Sequence, residues 1–141
     1  MRFWDASAVV PRLVDEPIRP RRVELLRQDA AMLVWWATPV ECASAIARRE
    51  RDGSMAPADA TRSLDRLRRM STAWNEVLPA AARRDEAMRL LRVHPLRSAD
   101  ALQLAAALAG ADGEPSALEF VCLDARLADA AAREGLRVLA S

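Results

Sequence analysis

The sequence predicts an α/β fold in three layers, α/β/α, around a central and mostly parallel sheet of four to five strands. Short apolar runs of strand length, at 2–4, 32–36 and 119–123, alternate with stretches of helical periodicity. Strands separated by helices need crossover connections, which make neighbouring strands parallel and cover both faces of the sheet. The length of 141 residues suits one domain with one core, so a single domain over 1–141 is expected.

Arg2, Phe3 and Trp4 make a short aromatic strand that runs into Asp5, Ala6 and Ser7, where polar side chains can end a strand and cap a helix. A short helix over 8–14 should follow. Pro17 and Pro20 punctuate the chain, and 21–28 carries Val23, Leu25 and Leu26 for burial on a second short helix. Met32, Leu33, Val34, Trp35 and Trp36 are continuously apolar, the pattern of a strand covered on both faces. A helix to about 52 then opens with Thr38 as N-cap, Pro39 at the first helical position and Glu41 where a capping-box acid belongs. Gly53 ends it.

Pro57 opens the next helix, with Ala60, Leu64, Leu67 and Met70 at helical spacing between arginines. Loop length makes these two helices an antiparallel hairpin. Residues 74–78 read as a short strand, 80–93 and 97–109 as helices, and 110–116 as a polar surface loop. The strand at 119–123 precedes a helix over 126–134 that Gly135 stops, and 137–139 is a last strand.

Composition excludes several chemistries. There are 21 basic and 20 acidic side chains, and every basic one is Arg. Without lysine there is no Walker-type phosphate loop, Schiff base or receiver-type acidic pocket completed by lysine. The net charge of +1 argues against binding nucleic acid by bulk electrostatics, so any such partner must be met at a local site. The N-terminus reaches Asp5 too early for a signal peptide, and no apolar run approaches the roughly 18 residues of a membrane span. A cytoplasmic protein without membrane association is expected. Cys42 and Cys122 match no metal or redox spacing and read as reduced, buried residues; His94, the single histidine, precedes Pro95 and reads as a surface or loop-end group.

Ligand sites in parallel α/β sheets lie outside the carboxyl ends of the strands. Asp5 and Asp124 follow expected strands, while Glu41 and Asp100 fall in the first turns of expected helices. Each alone is explained by helix capping and the helix dipole. Asp100, however, lies on an otherwise apolar helix with Gln103 three residues away on the same face. A carboxylate there is costly unless paired or metal-bound. Arg97 is its candidate ion-pair partner, which leaves Asp5, Glu41 and Asp124 unexplained. Four carboxylates without lysine or a usable histidine suggest a hard divalent cation, Mg²⁺ or Mn²⁺, and phosphodiester hydrolysis. Ser7 could bond an acid or a bound water, or act as an ordinary cap; Arg48 and Arg97 could grip phosphate or be surface arginines.

Four segments carry a resemblance: Phe3-Trp4-Asp5-Ala6-Ser7, Thr38-Pro39-Val40-Glu41, Leu96-Arg97-Ser98-Ala99-Asp100 and Phe120-Val121-Cys122-Leu123-Asp124. In this order and spacing they resemble PIN-domain proteins, specifically the VapC-type toxins of bacterial toxin–antitoxin pairs. The resemblance runs from Arg2 to Val138. It implies a PIN-like fold, a Mg²⁺-dependent endoribonuclease, a small cognate antitoxin whose tail occupies the acidic groove, and a homodimer. Asp5, Glu41 and Asp100 match the family's most regular acids, Asp124 its more variable fourth, and Ser7 its small hydroxyl residue. Cys122 departs from the pattern, since relatives often carry Thr or Ser there. On this reading the four acids form the catalytic site: Asp5 and Asp100 are direct metal ligands, Glu41 and Asp124 complete the cluster directly or through water, and one acid or a metal-bound hydroxide activates the attacking water. The alternatives are a non-catalytic PIN-like interaction module whose acids serve as caps, and a metal-dependent nuclease acting on DNA. The helix hairpin around 48–70 is the expected antitoxin docking region.

Overall fold

Five short strands, β1 (Phe3–Trp4), β2 (Leu33–Trp35), β3 (Asn75–Val77), β4 (Glu119–Val121) and β5 (Arg137–Leu139), pair in the order β3-β2-β1-β4-β5. Every pairing is parallel, so the sheet is wholly and not just mostly parallel. The computed structural model describes residues 1–14, 24 and 31–139. Six helices among these residues cover the sheet: α1 (Ala6–Leu13), α2 (Thr38–Arg51), α3 (Pro57–Ser71), α4 (Ala81–Val93), α5 (Ser98–Gly110) and α6 (Ala125–Arg133). The expected helix over 21–28 lies, apart from Glu24, outside the described residues, as do Pro17 and Pro20.

Alternation along the strands divides the core between two faces. Phe3, Trp35 and Phe120 pack with Ala87 and Leu90 of α4, the Ala101–Ala107 stretch of α5, and Leu127, Ala130 and Ala131 of α6. Trp4, Val34 and Val121 pack on the other face with α1, with Cys42 and Ile46 of α2, and with Ala60 and Leu67 of α3. The result is the expected three-layer fold. Phe3 and Phe120 stack across β1 and β4 with ring centroids 5.6 Å apart, which locks the central pair. The small residues of α5 let it approach the sheet closely; a Cβ on Gly110 would stand 2.7 Å from Leu33 Cδ2.

Three local expectations are corrected. The apolar run 32–36 is not covered throughout: β2 ends at Trp35, and Trp36 is 51% exposed with its N–H donating to Val77 O at 3.0 Å. Thr38 is not an N-cap, since Ala37 holds that position and Thr38 is fully buried. His94 does end a helix, as C-cap of α4, but it is buried and not at the surface. Its Nε2 lies 2.7 Å from Glu134 Oε2, while Arg89 donates to Glu134 Oε1 at 2.6 Å. These contacts tie the end of α4 to the end of α6, where Gly135 takes φ 96° and turns the chain into β5.

Burial opposes ionisation of Glu134, but Arg89 and His94 together hold its carboxyl below the usual 4.5. A carboxyl so lowered stabilises the fold above that value, and the contribution is lost as pH falls through the lowered pKa. Glu134→Gln should therefore reduce stability by about 0.5–1 kcal/mol at pH 7, with the difference from wild type closing in acid. Thermal melts followed by circular dichroism at both pH values check this; equal melting temperatures at pH 7 would contradict it.

Candidate functional site

All strands end at the same edge of a parallel sheet, so each handover to a helix presents its side chains there. Asp5 follows β1 and is 3% exposed. Its N–H donates to Val121 O at 3.0 Å, and its carboxylate caps α1 by accepting the Ser7 N–H at 3.1 Å and the Ser7 hydroxyl. Ser7 Oγ in turn accepts the Leu123 N–H at 2.9 Å. Ser7 thus fastens Asp5 to the segment after β4. Burial raises the Asp5 pKa, the Ser7 bonds pull it back, and the charge of Asp100 adds to the rise.

Cys122 occupies the place where the resemblance leads one to expect a hydroxyl. Its Sγ lies 3.6 Å from Asp5 Oδ2 and 3.4 Å from Asp124 O. Burial, helped by the charge of Asp5, pushes the thiol pKa up, so Cys122 stays protonated and acts as a weak donor to Asp5. Cys42 and Cys122 are both free and buried, as expected.

Glu41 projects from the first turn of α2 and is partly buried. Its pKa is pushed up to about 7, chiefly by burial and further by Asp5 and Asp100, against the bond from Gln103. Gln103, on α5, is fully buried; its Nε2 donates to Thr38 Oγ1 at 3.0 Å and to Glu41 Oε2 at 3.2 Å. Its Oε1 has no partner among the described residues. Asp100 lies one turn earlier on α5, and burial followed by repulsion from Asp124 raises its pKa, while the Arg97 N–H and charge oppose the rise. Asp124 is exposed and caps α6, accepting the Leu127 N–H at 3.0 Å.

The capping reading thus holds for Asp5 and Asp124, and in part for Asp100, which accepts the N–H of the N-cap residue Arg97; it does not account for Glu41, held by Gln103. Electrostatic coupling links Asp5 to Asp100, Glu41 to both, and Asp100 to Asp124. None of the four is ion-paired with an arginine among the described residues, so the Arg97–Asp100 pair expected from sequence does not form. Arg48 and Ser7 line a hollow of about 460 Å³ with Leu123. Arg97 lines another of about 520 Å³ with Asp100, Asp124 and Arg126. A larger hollow of about 810 Å³ runs along α4 and includes none of the four acids.

The donor set fits a hard divalent cation by its chemistry: oxygen ligands, unneutralised charge, and an orphaned buried carbonyl on Gln103 beside Glu41. Among the described residues no three acidic, histidine or cysteine side chains stand close enough together to hold a metal ion as they are placed. Sequence marks Gln103 only as the second polar residue on its face; that it reaches across to α2 depends on tertiary packing. Arg126 is missed by sequence because a lone arginine on a first helical turn carries no signal of its own.

No protein-family model matches the chain, and no curated protein matches it by sequence. Its fold is similar to that of a chain in the solved structure of a toxin–antitoxin complex from Klebsiella pneumoniae, with a TM-score of 0.64. The alignment covers 99% of this chain and 96% of that one at 14% sequence identity, a likeness of fold over the whole domain.

Proposed function

We propose that the chain is a metal-dependent endoribonuclease of the PIN-domain, VapC type, the toxin of a toxin–antitoxin pair acting in the cytoplasm. The observation that carries this reading is the electrostatic coupling of Asp5, Glu41, Asp100 and Asp124, from four different elements, at one sheet edge, with no ion pair to any of them among the described residues. The fold likeness to a chain of a toxin–antitoxin complex supports it. The same reading gives the protein a small antitoxin partner that covers the acidic edge and the α2–α3 hairpin, and a homodimeric state. Among the described residues no helix is long and apolar enough to cross a membrane.

Asp5 and Asp100 would hold Mg²⁺ or Mn²⁺, with Glu41 and Asp124 completing the set. The cation supplies neutralisation of the phosphodiester, a lowered pKa for the attacking water and stabilisation of the leaving oxygen. Ser7 and Cys122 orient the Asp5 carboxylate through their bonds to Oδ2. Gln103 holds Glu41 Oε2, which would leave the other oxygen for the cation or for water bound to it. Arg48 and Arg97, in the flanking hollows, supply guanidinium donors for phosphate oxygens.

Wild-type protein should cleave single-stranded RNA with added Mg²⁺ or Mn²⁺ and lose activity with a chelator. Asp5→Asn and Asp100→Asn should each cost more than about a hundredfold, beyond the range of outer-sphere changes. Cleavage that survives chelation, or is unchanged in both variants, would contradict the mechanism; equal or better cleavage of matched single-stranded DNA would shift the assignment to that substrate.

Glu41 gives a prediction with a definite sign. Between its ordinary 4.5 and about 7 the folded chain binds more protons at this site than the unfolded chain, so stability falls as pH rises through that window. In metal-free protein Glu41→Gln should raise stability by about 1–2 kcal/mol above pH 7, allowing for solvent at this partly open group. The gain should vanish below pH 4.5. A destabilised Glu41→Gln variant at pH 8 would show that the carboxylate is not under strain.

A further inference from the structure

Arg97 is the N-cap of α5 and Arg126 the second residue of α6. A cation at a helix N-terminus faces the positive end of the dipole, at a cost of about 0.3–1 kcal/mol. Elsewhere on the chain Arg2, Arg62, Arg68, Arg89 and Arg133 are held by carboxylates. Arg97 and Arg126 are exposed, and neither forms such a pair among the described residues. Both line the hollow of about 520 Å³ that also contains Asp100 and Asp124.

A hollow that combines two acids of the site with two exposed guanidiniums, of which Arg97 acts on Asp100 only at a distance and Arg126 has no carboxylate partner among the described residues, is suited to a ligand that is anionic and meets the acids through a cation. A phosphodiester backbone has that chemistry, and the planar fork of Arg matches phosphate oxygens in pairs. Leu123 lines the hollow of Arg48 and Ser7, and its neighbour Asp124 lines that of Arg97 and Arg126. The two hollows thus each take a lining residue from the connection between β4 and α6.

We propose that Arg126, with Arg97, binds a backbone phosphate of the single-stranded substrate beside the bond that is cleaved. Arg126 is then a positioning residue that fixes which phosphodiester lies over the acids. This rests on the nuclease reading above. A short, labelled, random-sequence single-stranded RNA tests it, with cleavage followed for wild type, Arg126→Ala and Arg126→Lys, and binding followed at fixed, saturating Mg²⁺ in the Asp5→Asn background across a salt series.

Arg126→Ala should raise KM about tenfold with little change in kcat. It should also reduce the slope of log affinity against log salt by about 1. Arg126→Lys should restore the salt slope but only part of the affinity, and the melting temperature of Arg126→Ala should equal or exceed that of wild type. Wild-type KM and salt slope in Arg126→Ala, with RNA still cleaved by wild type, would overturn this proposal alone. Wild-type protein that neither binds nor cleaves the RNA would overturn it together with the nuclease reading.

Discussion

A carboxylate buried at the end of the central strand is the constraint around which the rest of the molecule is arranged. Asp5 follows β1, which has two neighbours on each side in the sheet and is fully buried. An ionised group there costs several kcal/mol unless it is compensated, and the described residues provide hydrogen bonds from Ser7 and Cys122 but no ion pair. The bond from Leu123 to Ser7 then fixes the junction after β4, and with it Asp124. One buried acid thereby organises two of the four strand-to-helix handovers.

The other two acids arrive from opposite layers. Glu41 belongs to α2 and Asp100 to α5, helices packed on different faces of the sheet. Gln103 links them around the sheet edge by donating to both Thr38 and Glu41. This bridge sets the separation of the two helices where their acids approach. Burial and mutual repulsion raise the pKa values of Asp5, Glu41 and Asp100, so ionising all three in the folded chain costs stability at one place.

Much of this was legible in the sequence because the signals are local. Apolar runs and helix starts place each described element to within about two residues, the usual uncertainty of boundaries, and the topology rule for parallel sheets brings the four acids to one sheet edge. Strand order was not legible, since β1 and β4 are separated by most of the chain. Thr38 has every local mark of an N-cap, yet its hydroxyl is taken by Gln103; a buried tertiary bond overrides the local preference. His94 looks like a loop residue because its partner Glu134 is 40 positions away. Trp36 belongs to a continuous apolar run, but β2 stops one residue earlier and leaves it half exposed. Cys122 departs from the expected residue type while retaining the contact to Asp5 that the position requires.

The central claim is that these carboxylates constitute a cation site, and calorimetric titration of Mn²⁺ into the metal-free protein tests it most directly. Saturable binding to wild type, weakened at least about tenfold in Asp5→Asn and released as pH falls, is the result this account predicts. An absence of binding heat at millimolar Mn²⁺, or an affinity untouched by Asp5→Asn, would contradict it.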